Sequence, residues 1–204
     1  MNKPALNSVL YAGGALICGI IIKVLEISIF RNKNKQSDVT VNEVLFYGAE
    51  DEEETQQIRT NNMLCIHYVI LHARSTVDVC VPSLASDSLA KCLVSVQQKN
   101  KVYIRVAIHN SNDFHNLQLL AQNGIEVKVI KTGVRLAHEF VLLDARAGEP
   151  LALAGALPGA GPARARAATL LTSDSTLITA LGLEFERVWN SVPDITCARD
   201  DKRD

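Results

Sequence analysis

The chain has 204 residues, 48% hydrophobic and only 5% aromatic, which gives one globular domain with an aliphatic core and excludes a disordered chain or two domains of ordinary size. With 21 basic against 22 acidic residues the net charge is −1, so no global basic field exists and any contact with nucleic acid or an anionic bilayer has to be local. The five cysteines, Cys18, Cys65, Cys80, Cys92 and Cys197, form no CxxC pair, so neither a disulfide framework nor a zinc ribbon is indicated.

In chain order, Val9 to Ile22 carries no charge and continues in moderate apolarity to Phe30, a length that crosses a bilayer as a helix. Lys23 and Glu26 near its end share a helix face and snorkel to the interface. Arg31, Lys33 and Lys35 follow at once, against Lys3 alone before the stretch. This order predicts an uncleaved signal anchor with the rest of the chain in the cytosol, because a cleaved signal peptide carries its basic residues first. The alternative is a buried helix of the domain. Residues 1–30 are thus read as a membrane anchor and 31–61 as a polar linker. The linker holds the short apolar patch Val44-Leu45-Phe46-Tyr47 and the acidic run Glu50 to Glu54, a solvated loop.

A domain is expected over 62–192, followed by a polar tail at 193–204. Met63, Ile66, His67 and Ile70 follow helical spacing, after which Val77, Val79 and Val81 alternate with Thr76, Asp78 and Cys80 as a strand. Cys65 and His67 are two metal-ligand types in one helix with no further ligands at suitable spacing, so they are read as structural. Ser86-Asp87 caps a helix with the inner stripe Leu89, Leu93, Val96, and Val102, Ile104, Val106 and Ile108 alternate as the next strand. A helix around Leu117 to Gln122 stops at Asn123-Gly124, and Ile125, Val127 and Val129 form a third strand. Leu136 to Leu143 and Leu151 to Ala154 read as two more strands, joined by a turn at Ala147 to Pro150. A long helix with the stripe Leu177, Leu181, Phe185, Val188, and with Trp189 at its seam, closes the domain. Strands separated by helices predict an α/β domain with a mostly parallel mixed sheet between helices.

The series Ser75 to Val81, Lys101 to Val106 and Asn123 to Val127 resembles the first half of a phospholipase D-type domain. Ala137-His138-Glu139-Phe140-Val141-Leu142-Leu143-Asp144 falls where that superfamily carries its HxKxxxxD motif, and Leu183 to Trp189 resembles its last helix. One anchor and one motif per chain resemble the single-motif mitochondrial cardiolipin hydrolase (Zucchini) family, over about residues 62 to 190. The resemblance implies a homodimer in which two motif histidines meet, one attacking phosphorus and one protonating the leaving oxygen, while lysines hold the phosphate. It also implies a substrate that is either cardiolipin or single-stranded RNA of the piRNA pathway.

Against that pattern the chain is degenerate. Ala137 stands at the nucleophile position, Glu139 at the lysine position, and only Asp144 matches. Such covalent catalysis needs a nucleophile, a proton donor and positive charge at the transition state, and none is present at the motif. His138 lies one residue off. In a strand it faces away from its neighbours, so packing or hydrogen bonding behind the strand is its expected role, and catalysis in shifted register the alternative. The second family signature, GSxN, is replaced by Gly155-Ala156-Leu157-Pro158-Gly159, and Gly155 to Ala168 reads as a flexible loop. The zinc site of cysteine and histidine that related enzymes carry has no counterpart, and no metal or other cofactor is expected.

Arg164 and Arg166 are weak candidates for a phosphate contact, with Lys128, Lys131 and Arg135 on the approach, set against plain solvated surface charge. The expectation is a pseudoenzyme: a membrane-anchored binding, scaffold or regulatory subunit, as a homodimer or paired with an active paralogue. The alternative is an active cardiolipin hydrolase or single-strand RNA endonuclease that uses His138. The mitochondrial outer membrane, crossed once with the domain in the cytosol, is the expected location, and the endoplasmic reticulum the alternative. RNA or anionic phospholipid is a weak candidate partner.

Overall fold

The computed structural model describes residues 40–47, 64–84, 87–109, 114–130, 136, 138–157 and 167–191. The anchor segment, the acidic run at 50–54, Ala137, Lys131, Arg135, Arg164, Arg166 and the C-terminal tail lie outside the described residues. No described helix is long and apolar enough to cross a membrane.

The elements in order are β1 (Asn42–Tyr47), α1 (64–71), β2 (Thr76–Val81), α2 (Asp87–Asn100), β3 (Tyr103–His109), α3 (Phe114–Gln122), β4 (Glu126–Ile130), β5 (Phe140–Leu143), β6 (Leu151–Gly155), β7 (Ala167–Thr172) and α4 (Ser175–Asn190). They build one seven-stranded sheet in the order β1-β7-β6-β5-β2-β3-β4. The α/β class expected from the sequence holds, and so do the helix–strand alternation of the first half and the C-cap at Gly124, whose φ is +76°.

The expectation of a mostly parallel sheet is corrected. Only β2–β3 and β3–β4 pair in parallel, whereas β2–β5, β5–β6, β6–β7 and β7–β1 are antiparallel. Parallel neighbours require a crossover of a dozen or more residues, and the segment 144–150 between β5 and β6 allows only a hairpin. The motif strand is also shorter than 136–143: its ladder begins at Phe140.

Two strands lie where the sequence suggested none. Residues 42–47, read as part of a polar linker, are the edge strand β1, with Leu45 opposite Thr169. Residues 167–172, whose start was assigned to a flexible loop, form β7. Each is six residues long beside polar or small residues, and the two pair across more than a hundred positions, so neither gives a local signal strong enough to stand alone.

The two sheet faces carry separate cores. Val77, Val79, Val106, Val141, Leu153 and Leu171 face α1, α2 and α3, meeting Ile66, Ile70, Leu89, Leu93, Val96 and Leu120. Cys80, Ala107, Phe140, Leu142 and Ala152 face α4, meeting Ile178, Phe185, Val188 and Trp189. Each fully buried aliphatic or aromatic side chain contributes about 1.5–3 kcal/mol. In α4 the inner stripe is shifted from expectation: Ile178 is buried and Leu177 is 44% exposed. Asp174 caps this helix, its carboxylate accepting from the backbone N–H groups of Thr176 and Leu177.

Candidate functional site

The carboxyl ends of β2 and β3, the amino end of β5 and the carboxyl end of β6 share one rim of the sheet, where antiparallel β5 brings its first residues beside the last of β2. A recess of about 390 Å³ opens there, walled by His138, Glu139, Phe140, Ala154, Leu181 and Glu184. Gly155 shapes its floor. It sits at φ +114°, and a Cβ on it would come within 2.5 Å of the Ala168 carbonyl oxygen, so only glycine lets β6 and β7 approach this closely.

Glu139 precedes β5 and is 8% exposed. Its backbone carbonyl accepts from the Gly155 N–H at 2.9 Å, which extends the β5–β6 ladder by one residue. Its carboxylate accepts from the Leu157 N–H at 2.9 Å. The residue at the motif's lysine position is therefore a buried carboxyl side chain fastened to the first residues after β6.

His138 lies on the α4 side of the strand, as its parity with Phe140 and Leu142 requires. Its Nε2 is 3.0 Å from Glu184 Oε1, and the side chain remains 50% exposed. His138 thus contacts Glu184, but its ring lines the same recess as Glu139 instead of facing away from it. Glu184 in turn accepts from Arg187 Nε and Nη2, both at 2.7 Å. The bond from Arg187 holds the Glu184 carboxyl below the usual range, against a smaller opposing effect of burial. Beneath them, burial pushes the Cys80 thiol up to about 12, and the Glu184 charge adds to it, so this cysteine stays an inert thiol.

Asp144, the one residue that matches the motif, follows five residues after Glu139 and lies just past the opposite end of β5, away from this rim. Its carboxylate accepts from the backbone N–H groups of Arg74 at 3.0 Å, Ser75 at 2.7 Å and Thr76 at 3.0 Å, and from the Ser75 hydroxyl at 3.2 Å. Asp144 itself takes a φ of +51°, a left-handed conformation that Asp tolerates. A second recess, of about 330 Å³, adjoins it and is lined by Val69, His72, Arg74, Leu143 and Glu149.

On the other flank of α4 a buried ion cluster joins helix to sheet. Arg105 on β3 donates to Asp78 on β2 at 2.8 and 3.0 Å and to Glu186 on α4 at 2.7 Å. Its guanidinium lies 4.7 Å over the Phe185 ring. Burial opposes the Arg105 charge, but the bonds to Asp78 and Glu186 outweigh it and raise the pKa. Sequence reasoning missed this cluster. Asp78 and Arg105 look like the polar half of alternating strands, and only the register that sets them side by side reveals the pair.

Of the basic residues proposed as a phosphate rim, Lys128 is committed elsewhere. Its Nζ lies 4.9 Å over the Trp189 ring and donates to the Trp189 carbonyl at 3.4 Å. Cys65 is buried on α1, and among the described residues no group of three or more potential ligands gathers to hold a metal ion.

No protein-family profile matches the chain. Among curated proteins it is similar to the mitochondrial cardiolipin hydrolase of Chlamydomonas reinhardtii, 29% identical over 126 residues, covering 58% of this chain. The chain spans about half (53%) of the length of that relative. Among solved structures it resembles Nuc, a phospholipase D family member from Salmonella typhimurium, with a TM-score of 0.59 and 13% identity over 74% of this chain and 95% of that one. NucT from Helicobacter pylori follows with a TM-score of 0.53 and 14% identity, over 75% of this chain and 98% of that one. These structures share the fold.

Proposed function

We propose that the chain is a cardiolipin hydrolase-like member of the phospholipase D superfamily and, within it, a pseudoenzyme, a membrane-anchored binding, scaffold or regulatory subunit of a homologous phosphodiesterase. The observation that carries this reading is the buried carboxylate of Glu139, bonded to the Leu157 N–H where the resemblance implies a phosphate-holding ammonium group. A carboxylate about 4 Å from a phosphate oxygen repels it by roughly 4 kcal/mol at an effective dielectric near 20. The alanine at 137 adds no nucleophile. The family name of the curated relative and the apolar stretch from Val9 to Phe30 together support a mitochondrial outer membrane location.

The decisive experiment offers purified protein bis-p-nitrophenyl phosphate, cardiolipin vesicles and a short single-stranded RNA. No turnover above background is expected. The subunit role is tested by co-purification with an active homologue and assay of the mixture, and failure to associate removes it.

One observation favours a second reading, an active phosphodiesterase that uses His138 in shifted register. The ring is oriented by Glu184 at 3.0 Å beside an open recess, as a nucleophile or general base requires. Turnover that His138→Ala abolishes establishes this reading and overturns the first.

A further inference from the structure

The strands end on two rims. The recess at Glu139 lies on one, and the register defines the other: Asn42 stands opposite Thr172, Thr172 opposite Ala152, Leu151 opposite Leu143, Leu143 opposite Val77, and Thr76 opposite Tyr103. The first described residue, Thr40, enters the fold on this far rim. Ten peptide steps separate it from Phe30, where the apolar stretch ends. They reach roughly 35 Å fully extended and about 18 Å as a flexible chain. An anchor ending at Phe30 therefore keeps the far rim, of the two, nearer the bilayer.

The far rim also gathers cations. Among the described residues it exposes Arg74 after α1, Lys99 and Lys101 around the end of α2, and Arg146 in the turn after β5. Its exposed carboxylates are Glu126 and Glu149, the latter 3.4 Å from Arg74. Asp144 and Asp174 commit theirs to backbone N–H groups. Arg146 lies 5.8 Å from the ring of Tyr103, which is 44% exposed, and a tyrosine beside cations suits a boundary between lipid and water. The sequence leading to Thr40 adds Arg31, Lys33 and Lys35, whereas the acidic run Glu50 to Glu54 begins three residues after Tyr47, the other end of β1. That acidic segment next joins α1, which runs toward the far rim beside α2. Asn100 at the end of α2 donates to the Leu71 and Ala73 carbonyls at 3.0 and 3.1 Å, and Cys92, farther back on α2, meets the His67 carbonyl at 3.8 Å. Both attachment points of the acidic segment thus lie away from the far rim, and charge is sorted along the strand axis.

We propose that the far rim is a membrane-docking face, with Arg74, Lys99, Lys101 and Arg146 seated on the anionic lipid surface that holds the anchor, and with the recess at Glu139 turned away from that surface. The docking face rests on the membrane-anchored reading given above and adds an orientation to it. Attraction to an anionic leaflet falls off within about 8 Å at physiological salt, so the face depends on the short tether to bring it within range.

The test reconstitutes the full chain in vesicles of phosphatidylcholine alone and of phosphatidylcholine with phosphatidylglycerol. Lysines are acetylated with a membrane-impermeant reagent and read by mass spectrometry. Lys99 and Lys101 are expected to be protected in the anionic vesicles only, while Lys91, near the start of α2 and exposed, reacts equally in both. At ~1 M salt, where the screening length is about 3 Å, the contrast disappears. Arg74→Gln and Arg146→Gln are each expected to lower the docking equilibrium, read from that protection, about fivefold, the factor carried by one basic residue at an anionic surface. Circular dichroism reports whether each variant is folded, and the lipid and salt contrasts of the unaltered chain decide the question without them. Equal reactivity in both vesicles, or protection of Lys91 in place of Lys99 and Lys101, overturns the docking face. So does protection by a short oligoribonucleotide without lipid, or protection that follows protein concentration and marks a contact between copies. Flotation separates the two readings. A chain that fails to float with neutral vesicles has no anchor, and protection that persists with anionic vesicles then leaves the docking face standing by itself.

Discussion

Asp144 gathers three backbone N–H groups and a hydroxyl on one carboxylate, and thereby fixes the turn that delivers α1 into β2. Asp144→Ala leaves those donors without their partner in a largely dry site. It is expected to cost about 3 kcal/mol in chemical denaturation, with no change in any binding at the opposite rim. Gly155→Ala meets a φ of +114° and the Ala168 carbonyl, so a loss of about 2 kcal/mol is expected from the same measurement. At this scale the sequence was partly legible. The identity of Asp144 with the motif residue is plain in the letters. That it works as a clasp on residues 74–76 is not, since those partners lie some seventy positions upstream. The reverse holds for Glu139, where the letter alone signalled the loss of a cation and the structure added the Leu157 contact.

α4 is held by its apolar stripe and by the Arg105 cluster, and the two make different predictions. Replacing Arg105 with Met leaves Asp78, 4% exposed, with Arg146 at 3.4 Å as its remaining basic partner among the described residues. The expected loss is about 3 kcal/mol, because removing one partner strands a buried charge. The bond from Arg105 holds the Glu186 carboxyl below its ordinary 4.5. A depressed folded pKa gives stability that is present above the unfolded value and fades as pH falls through the folded one. Denaturation midpoints are therefore expected to drop as pH falls below about 4.5, and more shallowly in the Arg105→Met protein. His67 on α1 acts in a higher window. Burial lowers its pKa from 6.5, so the unfolded chain takes up the proton first and stability declines as pH falls below 6.5. His67→Gln is expected to flatten that part of the profile. Helix positions were readable here because caps and stripes are local: Leu89, Leu93 and Val96 are buried as their spacing required. The inner face of α4 slipped by one residue because Leu177 and Ile178 are equally apolar, and only docking on Phe140 and Leu142 chooses between them.

For the whole molecule, the sheet ends in β1, which covers the outer edge of β7 along six residues. A fragment beginning at residue 62, where the sequence alone draws the domain boundary, exposes the β7 edge with Leu171 beside it. Compared with one beginning at residue 40, it is expected to elute as larger species in size-exclusion chromatography. Non-local strand pairing is the part of the fold that the sequence hid. Neither β1 nor β7 has a periodic run long enough to announce it, and β5 and β6, legible as strands, do not show their antiparallel pairing with β2 and β7 in their letters, whereas β2 to β4 and their helices are announced by local periodicity.

The motif segment straddles β5, with its chemical end at Glu139 and its architectural end at Asp144, separated by a four-residue strand. About 3.4 Å of rise per residue makes that a gap of roughly 17 Å. A carboxylate at one end therefore exerts no leverage on the knot at the other. Reactivity and foldedness are wired to opposite poles of a single short ribbon, and the chain is free to surrender the first while keeping the second.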